Sequence, residues 1–512
     1  KSGKTLTVAG GTIDFGSTRQ TMGGWTLQLS DGAVLTGAGD ATHGAMDFNI
    51  NNSTIYATSG SSTISAVTRL RNGNNLNYDV SDDATLTISG RHHSSGSNTM
   101  GSITKLGGGV LVLSGDALNL LTSASYIAVD EGKLDLTAAG SSANLSKVRG
   151  AGTIVLQYGL SGNGTAFNFS GLTGDVELKS GRILLNESTF GSESPDFLLT
   201  SSNSQLVFNG NGTVVNSNVH ISANTTDFHV NSGKSGTIGG DITGNSLVKQ
   251  GGGSLTVGGN MKLNSMLSTR AGQVILTGAQ NTVANVDCSM GSTAEGTLRL
   301  AQDARLEVTG NIWSRNNTGI LLDSGAELNI SGKKLTITNR AEEGTASLAA
   351  TTSTDPGEYT INRTGYQISN AHVTYTGGDA TINNLLTNSS IENAGSGTLE
   401  VNNADNTLSA VYATGGSVKL FADAELDLKE LEIANSLSIS AYSQLSERAE
   451  QEARLNISGT ANFGMGVTLN ADLVMKSGAT LKIADTVQMG SDVRLESGLK
   501  LGGAQYDTLN SL

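Results

Sequence analysis

The stretch "KLGGGVLVLSG", Lys105 to Gly115, places three glycines between a lysine and an aliphatic run. A second copy, "KQGGGSLTVGG", runs from Lys249 to Gly259. In both, a Lys and one further residue precede three glycines and then a strand-like alternation. A phosphate-binding loop would open a helix and carry Lys-Ser or Lys-Thr after its glycines. Here the lysine comes first and a strand follows. The phrase therefore reads as one turn of a repeat, since glycine runs mark turns.

The same rhythm spreads outward along the chain. A turn residue, Ala, any residue, Leu, any residue and an aliphatic recur in "SDGAVLTG", "SDDATLTISG", "AQDARLEVTG", "DSGAELNISG", "FADAELDL" and "KSGATLKI". Apolar residues at every second position bury one strand face and wet the other. The Gly or Asp before each strand supplies a tight turn. Leu111 to Leu134, Val274 to Thr297 and Leu306 to Leu328 recur at intervals of about 22–23 residues, the mark of a solenoid. No helical pattern separates the strands, which excludes doubly wound α/β folds.

A coil of this length with short strands predicts an all-β fold: a single right-handed parallel β-helix over residues 1–512, of about twenty coils. At roughly 4.8 Å per coil its length would be on the order of 90–110 Å. Leu111, Leu113, Leu134, Leu306, Leu328, Leu426 and Leu481 are expected in the bore. Two stretches break the rhythm and read as loop excursions. They are 339–366, which holds Pro356, and 443–456, where Glu447 to Arg454 suits a short helix.

Composition supports this reading. The 512 residues include 67 Gly, 2 Pro and 4% aromatics, and a narrow bore fills best with small aliphatics rather than rings. A disordered chain would carry more charge and more proline. The net charge of −14 disfavours nucleic acid as a partner, because that needs a basic face. The one cysteine, Cys288, cannot form an internal disulfide. That suits a chain that crosses a membrane unfolded, and predicts that Cys288→Ser is nearly neutral. No apolar run approaches a membrane span, and any export signal would already have been removed.

The segment Ile103 to Ala138 resembles the passenger repeat of Gram-negative autotransporters, a family with pertactin-like β-helical adhesins among its members. Lys105, Gly107, Gly109, Leu111, Leu113, Ser114, Gly115, Gly132 and Leu134 match its phrase. Lys249, Gly251, Gly253, Leu255, Val257, Gly258, Gly272 and Ile275 match a looser copy, and Asn393 to Leu420 resembles a third in which the Lys is missing. The resemblance implies an exported passenger, anchored in the outer membrane or released, with its translocator barrel beyond this sequence and its only membrane contact through that barrel. Its implied partners are host glycans or extracellular-matrix proteins, or a second passenger in cell aggregation and biofilm.

Chemistry is sparse. No Gly-x-Ser-x-Gly phrase is present, and the six histidines are scattered. No catalytic residue, metal site or cofactor is assigned. Adjacent strand residues face opposite ways, so His92 and His93 would not share an ion. Arg69 and Arg71 near Asp79, Asp82 and Asp83 raise the rival reading, a β-helical lyase or hydrolase acting on acidic polysaccharide. Charge distribution says more. Ile242 to Val286 holds no acidic residue while Lys249, Lys262 and Arg270 are present, and Arg299, Arg305 and Arg315 follow. These six are the expected acidic-glycan stripe. Lys249 and Arg270 lie about one coil apart, so their potentials would add on one face.

Overall fold

In the computed structural model the chain is 62% strand and 4% helix, in about 17 turns of stacked, mostly parallel coils. The structure describes residues 3–502 apart from 23, 40–43, 49–51, 95–99, 143, 160–164, 187–193, 289–295, 314–318, 332–333, 341–343, 351–365, 383–384, 403–405, 423–424, 435, 442–453, 465–466, 471, 484–486, 490–492 and 496–499. It falls into two compact units, Lys1–Leu255 and Thr256–Leu512. The turns number fewer than twenty because many coils exceed 22 residues. Leu86 pairs with Leu111, for example, a step of 111 − 86 = 25.

In the first unit the strand alternation builds an inward column across eight coils: Leu86, Leu111, Leu134, Ile154, Val176, Phe197, Val219 and Ile242. Each is fully or almost fully buried. Stacking like on like excludes water, and burial of each such side chain is worth about 1.5–3 kcal/mol. All seven leucines expected in the bore are buried. Thr68–Leu70 and its neighbours form a separate four-stranded sheet, pairing Thr21, Asp47, Arg69 and His93 along one face.

In the second unit one coil runs backwards. Leu335–Thr338 and Ala346–Ala350 pair antiparallel with Glu327–Ile330 and Gly319–Leu322 on one side. On the other side they pair antiparallel with His372–Tyr375 and Tyr366–Ser369. The reversal turns at Lys334, whose φ is 54°. Alternation keeps Leu335 and Ile337 inward, so the buried column Leu306, Leu328, Ile337, Val373, Ile391, Val411, Leu431, Ala461, Leu481 passes through it unbroken.

This coil corrects the first predicted excursion. Of 339–366, Ala346–Ala350 is a strand of the reversed coil, and 351–365, Pro356 included, lie outside the described residues. Of 443–456, residues 443–453, which hold most of the expected helix, lie outside them too. Arg454–Asn456 open the strand Arg454–Phe463.

The repeated Lys-Gly phrase forms the coil corner. Lys105 shares an inward column with Leu27, Ile55, Tyr78 and Val129 and has 0% exposure. Its Nζ donates to the carbonyls of Leu106 (2.8 Å), Gly107 and, one coil on, Glu131 (3.2 Å). Lys249 is also at 0% and follows Ile183, Leu206 and Phe228 inward; its Nζ donates to Gly251 O at 2.7 Å. Gly107 (φ 72°) and Gly251 (φ 76°) bend the chain back over the amine. A Cβ on Gly109 would overlap the Ser81 carbonyl in the coil beneath.

The third copy keeps this corner with a different donor. Lys105 to Lys249 is 249 − 105 = 144 residues, and Lys249 to Asn393 is 393 − 249 = 144. Asn393, fully buried beside Tyr375, donates from Nδ2 to Gly397 O (2.8 Å) and, one coil on, Ser417 O (2.7 Å). Asn393 Oδ1 accepts from the Gly395 N–H at 3.1 Å. The amide replaces the amine.

Cys288 is 2% exposed, and burial above all pushes its thiol up to about 12. It is a packed core thiol, so Cys288→Ser, expected from the sequence to be nearly neutral, falls on a buried side chain.

Two predictions follow from these buried groups. Lys105→Met or Lys249→Met keeps the aliphatic stem but strands buried carbonyls. Each should lower unfolding free energy by about 1–3 kcal/mol, measured by urea titration. Burial depresses both amines to about 8. The folded protein therefore binds fewer protons than the unfolded chain between pH 8 and 10.5. Stability from this source is full above pH 10.5 and lost as pH falls through 8, so the cost of either substitution should be larger at pH 10 than at pH 7.5. Separately, Cys288 should resist an aromatic disulfide reagent in the folded protein and react on unfolding.

Candidate ligand-binding surface

Coil stacking decides what an outward charge meets. Arg299 pairs in register with Leu321, and its Nε lies 2.9 and 3.0 Å from the two carboxylate oxygens of Asp323. Arg305 faces Glu327 one coil on, at 3.9 Å. Both predicted glycan contacts are thus partly neutralised by acids outside the charge-poor window. Lys262 is exposed. Arg270 is half-buried, and its Nε has no hydrogen-bond partner among the described residues. Arg315 lies outside the described residues. Lys249 is the clear correction: strand parity turns it into the bore, where no ligand reaches it. The stripe therefore cannot include Lys249.

A different cationic group is assembled in the first unit. Asp47, on the strand Met46–Phe48, is 0% exposed. Its Oδ2 receives Arg71 Nη2 at 3.3 Å, Arg69 Nη1 at 3.6 Å and Arg19 Nη1 at 3.7 Å. Arg69 is Asp47's register partner, Arg71 follows the strand Thr68–Leu70, and Arg19 precedes the strand Gln20–Thr21. The Arg69 side chain is 12% exposed, whereas Arg71 and Arg19 are at 41% and 38%. Three guanidiniums converge on one carboxylate oxygen. Among the described residues Asp47 Oδ1 and the Nε atoms of Arg69 and Arg71 have no hydrogen-bond partner.

His93 extends the Asp47–Arg69 face by one coil. Burial first, then the Arg91 charge, lowers its pKa. Arg69 and Arg71 turn to Asp47 in their ion pairs.

His92 points the other way from His93 and is buried. Its Nε2 lies 3.1 Å from Tyr78 Oη and its Nδ1 3.2 Å from Gly90 O. Burial lowers it to about 4. The two histidines take opposite sides of the strand, as alternation predicts. Among the described residues no group of three or more His, Cys, Asp or Glu is placed to hold a metal.

Sequence reasoning missed one outward network in the second unit. His372, 2% exposed, has Nδ1 at 2.6 Å from Ser390 Oγ and Nε2 at 3.1 Å from Glu392 Oε2. Thr414 donates to Glu392 Oε1 at 3.0 Å, and Tyr412 donates to Glu430 Oε2 at 2.6 Å. Burial, then Arg340, lowers His372. A carboxylate only accepts, so Nε2 donates to Glu392, and in the neutral ring Nδ1 accepts the Ser390 hydroxyl. Burial alone would raise Glu392, but the hydrogen bonds from His372 and Thr414 overcome it. The signal in the sequence was His372 and Ser390 one coil apart, 390 − 372 = 18, with Glu392 two residues further on.

Elsewhere the outer face carries polar ladders. Thr5, Thr26, Thr54, Asn77 and Thr104 stack in one column, and Asn77 Nδ2 donates to Thr54 Oγ1 at 3.3 Å.

No protein-family model and no curated protein matches this chain. The passenger resemblance therefore rests on the corner phrase and the coil that carries it.

Asp47→Asn leaves three guanidiniums without their anion. It should lower unfolding free energy by about 3 kcal/mol, the low end for a broken buried pair because Arg19 and Arg71 reach water. Arg299→Ala, at an exposed pair, should cost at most about 1 kcal/mol. Thermal unfolding of both variants in one buffer checks the contrast.

Proposed function

We propose that this chain is the solenoid passenger of a Gram-negative autotransporter adhesin, exported and displayed at the cell surface, where it binds host glycans or matrix proteins or associates with a second copy. The observation that carries this reading is how each coil divides its residues. The Lys of the repeated phrase is spent inside as a corner cap. The outward positions are left as polar columns such as Thr5–Thr26–Thr54–Asn77–Thr104. Such columns offer many weak contacts along a surface rather than one enclosed reaction centre, which suits adhesion. Fold by itself does not choose among functions.

A second reading, hydrolysis, is favoured by one observation, the Ser390–His372–Glu392 trio. Its hydrogen-bond polarity is that of a nucleophile, its base and the base's orienting carboxylate. The ladder register suffices to explain the same contacts, since Ser390 is His372's direct cross-strand neighbour.

Display of the chain on a non-adherent bacterium tests the first reading. Adhesion to host cells or settling of the culture, absent from cells displaying an unrelated β-solenoid, is the expected result; neither would refute it. Labelling by a fluorophosphonate that is lost in Ser390→Ala would favour the second reading.

A further inference from the structure

We infer that the arginine cluster around Asp47 is a binding site for the sulfate or carboxylate groups of an acidic polysaccharide. This rests on the adhesin reading and gives it a ligand class. The argument is electrostatic. Arg19, Arg69 and Arg71 bring three positive charges onto one oxygen of a single carboxylate. Among the described residues these three cations and one anion sum to +2, in a chain whose net charge is −14. Like charges held this close repel, and Asp47 compensates only part of that repulsion. A second anion would relieve the rest.

Geometry says where that anion sits. Asp47 is fully buried and fixes the inner side of the guanidiniums. Arg19 and Arg71, each more than a third exposed, keep N–H donors toward solvent. Guanidinium forks match the flat or tetrahedral oxygens of carboxylates and oxyanions, and several together discriminate better than a lysine would. The positions Thr21, Asp47, Arg69 and His93 lie on four successive coils. Three coil steps span about 14 Å, longer than one small ion. A chain with repeated acidic groups fits that length.

Asp47 then acts as a built-in competitor for the arginines, which yields a test with opposite signs. Binding to immobilised heparin is measured at low salt, with hyaluronan, fully desulfated heparin and inorganic sulfate as parallel probes. Arg19→Ala with Arg71→Ala should weaken heparin binding by about tenfold, as lost charge-assisted hydrogen bonds do, and the loss should shrink as salt rises. Asp47→Asn should bind heparin more tightly than the parent. Because this variant is expected to be less stable, its melting temperature is also followed. Sulfate should raise it more than it raises the parent's, since an anion bound to the folded state stabilises it. Arg299→Ala should bind like the parent.

Inorganic sulfate that competes as well as heparin, weight for weight, would assign the site to a small free anion and overturn the polysaccharide. Unchanged heparin affinity in the folded double variant would overturn the site. The underlying reading fails separately. Displayed cells that still adhere or aggregate after the double substitution leave the adhesin standing without this site. Purified protein that binds heparin through these arginines, while displayed cells neither adhere nor aggregate, leaves the site without the adhesin.

Discussion

The fold depends on one constraint at the coil corner. Where a coil turns, its carbonyls point out of the ladder toward the bore, and buried carbonyls need donors. Lys105 answers with an amine that reaches three carbonyls across two coils, and Asn393 answers with an amide that does the same for two. The donor's column is otherwise apolar or aromatic: Tyr78 lies beneath Lys105, Phe228 beneath Lys249 and Tyr375 beneath Asn393. An amine in that setting loses hydration, which is why both lysines are held near 8. Glycines follow because the turn must fold tightly over the donor, and a Cβ at Gly109 or Gly253 would strike the coil beneath.

Once the corners lock the register, the outer face is determined as well. Each outward side chain meets its counterpart one coil away, so charges are satisfied or left over column by column. Arg299 finds Asp323, Arg305 finds Glu327 and Lys419 finds Glu400. Lys133 reaches Glu177 at 2.7 Å, two coils on. Around Asp47 the described residues supply three cations to one anion. Surface charge in a solenoid is thus read by column, and a cation count along the sequence misleads.

That distinction explains what the sequence disclosed. Period-two alternation and the recurrence near 22 residues placed every bore leucine correctly, because both are local signals. Lys249 was misplaced because a charged residue at an inward position looks, in sequence, like an outward one. Its parity with Leu247 was the available clue. The third copy lacks the Lys, and with the Lys recognised as a carbonyl cap, Asn393 is its equivalent. The reversed coil was hidden because "KKLTITN" alternates like any other strand, and direction leaves no mark on period two. The Asp47 cluster joins Arg19, Asp47, Arg69 and Arg71 from three coils. No single window contains them all.

The central claim is that the repeat lysines are buried caps. Selective ¹³C labelling of lysine, with the side-chain Cε signals followed from pH 6 to 11 in the folded protein, tests it directly. Two resonances, assigned by Lys105→Met and Lys249→Met, should titrate near 8, below the ordinary lysine value of about 10.4. All lysines titrating together near 10.4 would put both amines in water and contradict the account.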